Sequence, residues 1–117
     1  LNIINHAGTP RKRDEEYLSN WRNGLKNLAQ APNTVIKISG LGMFDQQWTT
    51  DSIKPLVLDC IEIFGINRCF FSTNFPVDKK YSSYEKVWNS YFDITKDFSI
   101  DEKEKLFFKN AEKYYRI

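Results

Sequence analysis

The chain has 117 residues, 41% of them hydrophobic, 27% charged and 15% aromatic, and its 17 basic and 15 acidic residues leave a formal net charge of +2. That length suits one small domain with its own core. So aromatic a chain, with only five Gly and four Pro, is neither disordered nor of low complexity. No apolar run approaches the ~18 residues of a membrane span, and a balance so close to neutral makes no case for nucleic acid. The chain begins at Leu1 and not at a methionine, so it reads as processed, trimmed or a fragment, and no basic region followed by an apolar one marks a signal peptide. Cys60 and Cys69 are too few for a disulfide framework and read as buried free thiols in a reducing compartment, which points to the cytoplasm.

In chain order the pattern is strand, helix, strand, helix, strand, helix, helix. Residues 2–5 form a short apolar strand ending at His6, where Ala7-Gly8-Thr9-Pro10 breaks it. From Asp14 to Gln30, Tyr17, Leu18, Trp21, Leu25, Leu28 and Ala29 recur every three or four residues. That spacing predicts an amphipathic helix with acidic residues at its N-terminus. Residues 34–39 are a second strand, rich in β-branched side chains and closed by Gly40-Leu41-Gly42. A longer loop with Met43, Phe44 and Trp48 follows. Asp51 is placed to cap a helix to Phe64, with Pro55 in its first turn and Gly65 as its stop. Residues 69–73 are a third, apolar strand. A helix over 83–94 carries a Trp88, Tyr91 and Phe92 stripe expected in the core. Ser99 and Glu102 form a capping box for a last helix that buries Leu106, Phe107, Ala111 and Tyr114.

Alternating strands and helices imply parallel strands joined by right-handed crossovers. The α/β class is thereby set. Three such units fit a small open sheet or the last βα units of a (β/α)8 barrel.

In either case ligands gather at the C-terminal ends of the strands. Those ends carry His6, Ser39-Gly40 and Thr73-Asn74. Strand alternation puts Lys37 with Ser39 on one face, His6 with Ile4, and Asn74 with Ser72 and Phe70. An imidazole, an ammonium, a hydroxyl and a carboxamide suit a carbonyl or carboxylate substrate. His6, the one histidine, reads as a metal ligand, as a neutral donor polarising a carbonyl, or as a strand-end residue bonded to local backbone. Asn74 reads as a pocket hydrogen-bonder or as an Asx-turn residue before Phe75-Pro76, and as an amide it is no general base. Lys37 either serves the pocket or snorkels from the sheet edge. Met43 and Trp48 more often fill space beneath a loop than touch ligand. Arg11-Lys12-Arg13 is too short a basic run to argue phosphate binding, and no phosphate loop, dinucleotide fingerprint, nucleophile elbow or CxxC motif is present.

Three segments occur in a telling order: Ile3-Ile4-Asn5-His6-Ala7-Gly8-Thr9-Pro10, Val35-Ile36-Lys37-Ile38-Ser39-Gly40-Leu41-Gly42-Met43, and Arg68 to Asp78 through Ser72-Thr73-Asn74-Phe75-Pro76. Asn110-Ala111 and Tyr115-Arg116-Ile117 close the series. Across nearly the whole chain this resembles the C-terminal portion of the amidohydrolase-related family of (β/α)8-barrel hydrolases, in the branch of sugar-lactone and pyrone-dicarboxylate lactonases. The resemblance implies that residues 1–117 are a partial barrel domain holding the sixth, seventh and eighth strands. The earlier strands, with their His-x-His pair, are absent. It implies water attack on a lactone or related cyclic ester or amide, with His6 and Asn74 as catalytic residues and Lys37, Ser39, Thr9, Met43 and Trp48 around the substrate. It also implies a divalent, zinc-like metal in the complete barrel, with His6 touching that metal or the substrate carbonyl. Asn74, however, stands where most relatives carry an aspartate, and Asp78 lies beyond the strand end as a weak candidate base. The expected partner is a small lactone or carboxylated ring, with no nucleic acid or membrane. The alternative is an incompetent fragment that binds a small acid or self-associates through two exposed sheet edges.

Overall fold

Three short strands, β1 (Asn2–Ile4), β2 (Thr34–Ile38) and β3 (Cys69–Phe71), lie parallel in the order β1-β2-β3. The computed structural model describes residues 1–43, 45, 47–73 and 83–115. Ile4 stands opposite Ile36, Lys37 opposite Phe70, and Ile38 opposite Phe71. Alternation therefore sends Ile36, Ile38, Cys69 and Phe71 to one face, where they join Leu25, Val57, Cys60, Tyr91 and Leu106 in the core. Val35 and Phe70 take the other face and are equally buried, with Tyr115 edge-on against Phe70 at 5.6 Å. Both faces are covered, as a parallel sheet requires.

All three strands end earlier than the sequence suggests, β1 at Ile4. β2 stops at Ile38 because Gly40 turns the chain at φ 65°. Beyond Phe71, β3 then has little backbone to pair with: Ser72 N–H donates to Ile38 O at 3.0 Å, and the Tyr91 hydroxyl reaches both Ser72 O and Ile38 O. The tyrosine does the work of a missing ladder rung.

The first helix, α1 (Glu15–Ala29), starts where the Asp14 carboxylate accepts the Tyr17 N–H at 3.0 Å. Trp21 and Leu25 are buried, but Leu28 is 49% exposed, so the apolar stripe outruns the surface that covers it among the described residues. The second helix, α2 (Thr50–Phe64), is capped by Thr49, not by Asp51. Thr49 and Ser52 satisfy each other's backbone N–H groups, which leaves Asp51 inside the first turn as a charge near the dipole. Pro55 consequently lies past the first turn, and its missing N–H leaves the Asp51 carbonyl without a helical partner. Gly65 ends the helix at φ 81°, as expected.

Ser83 caps α3 (Tyr84–Ile94), whose Val87, Ser90, Tyr91 and Ile94 face inward. Phe92 is 54% exposed, contrary to the core stripe expected, although it stacks on Phe107 at 4.5 Å. The Ser99–Glu102 capping box opens α4 (Ile100–Glu104) as predicted. A π-type segment, Lys105–Lys109, and then α5 (Asn110–Tyr115) follow with helical backbone at both junctions. Asn110 is the buried polar residue of this rod. Its amide donates to Ile66 O at 2.7 Å and Cys69 O at 2.8 Å, tying the last helix to the start of β3. No helix among the described residues is long and apolar enough to cross a membrane.

Candidate functional site

The C-terminal ends of β1 and β2 meet at one side-chain pair. His6 Nδ1 lies 3.1 Å from Ser39 Oγ, and Ser39 is fully buried. Parity had placed His6 with Ile4, whose side chain packs toward the core helices. It does not hold, because β1 ends at Ile4 and His6, Ala7, Gly8 and Thr9 follow in a left-handed turn with φ between 52° and 73°. Each non-glycine residue in that region costs ~1–2 kcal/mol. Local bonds hold the turn: Thr9 N–H donates to His6 O at 2.7 Å, and the Trp21 indole donates to Ala7 O at 2.9 Å. The turn is what swings the imidazole onto Ser39.

The slot that receives the ring is equally specific. A β-carbon at Gly40 would lie 2.7 Å from His6 Nδ1, 3.0 Å from its Cγ and 3.0 Å from Met43 Sδ. Gly40 is thus required twice, for its positive φ and for this close approach. Met43 stands beside the imidazole, as a lining residue would. Thr9 is in the same turn as His6, and Lys37 stands half-buried on β2, on the face of Val35 and opposite Phe70. Trp48 is 4% exposed and belongs to the core, with Lys86 Nζ 4.1 Å over its ring and donating to its carbonyl at 2.9 Å. Asn74 and Asp78 lie outside the described residues.

One residue escaped the sequence reading. Arg13, dismissed there as part of a short basic run, folds back so that its guanidinium donates to Pro10 O and to Leu41 O, the latter at 3.0 Å. Burial lowers the pKa of this guanidinium, with Asp45 and Tyr17 acting in the opposite direction. Nothing in a three-residue basic run shows which member turns inward.

A neutral imidazole gives the pair two tautomeric arrangements. With the Ser39 hydroxyl donating to Nδ1, the imidazole presents Nε2–H as a donor. With Nδ1 protonated, Nε2 is an acceptor. Among the described residues, no three of His, Cys, Asp or Glu come together as a metal-binding group. His6 offers one ligand where a zinc site needs three or four, so these donors do not fit a metal on their own.

Three parallel strands in sequential order, joined by helices, form a section of the α/β scaffold that a (β/α)8 barrel repeats. The chain belongs to the amidohydrolase family, whose model matches residues 2–117. It is 46% identical over 115 residues to the uncharacterized protein y4mH of Sinorhizobium fredii, covering 98% of this chain and 38% of that protein. It is 30% identical over 96 residues to the L-fucono-1,5-lactonase of Burkholderia multivorans, covering 73% and 32%. A crystal structure of a Burkholderia multivorans amidohydrolase with bound HEPES superimposes with a TM-score of 0.90 at 27% identity, covering 98% of this chain and 44% of that one. A second crystal form of that target holds zinc. The chain therefore spans well under half the length of the relatives it matches.

Proposed function

We propose that this chain is the part of a lactone-opening hydrolase that carries the sixth to eighth strands of its barrel. The observation that carries the reading is the His6–Ser39 pair, built at adjacent strand ends by a strained turn and a glycine slot. Such expense suits a ring held ready for a reacting group. Ser39 donates to Nδ1, and Nε2–H polarises the carbonyl of a lactone or related cyclic ester or amide. Preorganised donors of this kind contribute on the order of 100-fold or more to rate. Lys37 adds positive charge near the developing oxyanion, Asn74 orients substrate or water, and Thr9 and Met43 line the ring. The base that activates water comes from residues beyond these, and the substrate is a small molecule met in the cytoplasm.

The test replaces the matching segment of the Burkholderia multivorans lactonase with this chain and follows acid release from a 1,5-lactone in a pH-stat. Turnover that His6→Ala lowers by about 100-fold supports the proposal; a folded chimera without turnover contradicts it. Loss of turnover in chelator would return a metal to the mechanism. A second reading, self-association of an incompetent chain, draws on the sheet order, which leaves one edge of β1 and one of β3 without a strand partner among the described residues. Sedimentation of the isolated chain as a stable dimer would favour it.

A further inference from the structure

We infer that Arg13 is a positioning residue for the His6 imidazole. Two bridges join the loop after β1 to the loop after β2. One is the His6–Ser39 pair itself. The other is the Arg13 guanidinium, which donates to Pro10 O just beyond the His6 turn and to Leu41 O just beyond Ser39 and Gly40. A planar fork with fixed donors can hold two carbonyls at a set separation, which a lysine cannot.

The arrangement costs more than a surface arginine would. Arg13 Nε is buried without a hydrogen-bond partner, and burial weakens the hold of the guanidinium on its proton. What it secures is the slot around the ring. Gly40 lies between Ser39 and Leu41 and stands against Nδ1 and Cγ, with Met43 closing the same space. If the Leu41 carbonyl moves, the wall of the slot moves with it. If the Pro10 carbonyl is released, the left-handed turn that carries His6 keeps its own bonds but loses this tie to the loop after β2. Arg13 therefore acts on the imidazole through both loops without touching it.

The inference deepens the proposed lactone chemistry, but its test reads the ring directly. The chain holds one histidine, so a long-range proton–nitrogen spectrum of the 117-residue protein shows one imidazole. Ser39→Ala displaces the Nδ1 resonance and sets the scale. Arg13→Met is expected to reproduce at least half of that displacement, and Arg13→Lys a smaller part of it. Arg22→Met, which breaks the ion pairs to Glu15 on α1 and Asp59 on α2, is expected to leave the ring unmoved. An Arg13→Met protein with native circular dichroism and a wild-type Nδ1 resonance overturns the inference. Should that variant not fold, an Arg13→Lys spectrum identical to Arg22→Met overturns it instead. A wild-type chimera without lactone turnover would sink the functional reading, whereas the ring resonance alone decides the role of Arg13.

Discussion

A methyl group at position 40 would have to share space with an imidazole nitrogen 2.7 Å away, on backbone already at φ 65°. Gly40→Ala is therefore expected to cost about 1–3 kcal/mol by urea unfolding and to expel His6 from its slot. Gly24→Ala, inside α1 with nothing within 4 Å and no positive φ, is the control and should stabilise by up to about 1 kcal/mol. If the two variants unfold at the same urea concentration, the slot is not tight. At this scale the sequence exposed the candidate site residues but not the contact between them. His6 and Ser39 could be named because polar residues are expensive at the ends of apolar strands. Their contact could not, because it depends on a left-handed run that contains Ala7 and Thr9, and only Gly8 in it announces such a conformation.

Among the elements, single polar groups hold the sheet ends where the ladder runs out. Tyr91→Phe keeps the ring stacked on Phe71 at 4.3 Å but removes the hydroxyl that serves two carbonyls, at an expected cost of about 1–2 kcal/mol. Asn110→Ala removes two donations, one to the turn before β3 and one to its first residue, and should cost about 2–3 kcal/mol. Denaturant midpoints at constant m-value check both. The first helix was legible because Tyr17, Trp21, Leu25 and Leu28 repeat at helical spacing, and the parallel strands because nearly continuous apolar runs alternate with helices. Cap choice was less so: Asp51 and Thr49 are both good N-cap types, and only the reciprocal Ser52 contact picks Thr49. The exposed Leu28 and Phe92 show that periodicity marks an apolar stripe without saying how wide a neighbour covers it.

Across the whole molecule, the core carries a pH signature. Cys60 on α2 and Cys69 on β3 are fully buried in the core, and burial raises both thiols, that of Cys69 to about 12 from an ordinary value of 9.0. Unfolded thiols ionise first, so the stability they contribute is intact below about pH 9 and is lost progressively as pH rises toward 12. Urea midpoints should hold steady from pH 7 to 8 and fall above about 9, and a thiol reagent should label the native chain only through unfolding. A core of this kind fixes three parallel βα units and aims their strand ends at one rim, while the family's larger architecture entered through motif order rather than through physics. The claim that this rim opens lactones rests most directly on acid release by the lactonase chimera, wild-type against His6→Ala. The account predicts turnover that falls by about 100-fold in the variant. Equal rates for the two proteins would contradict it.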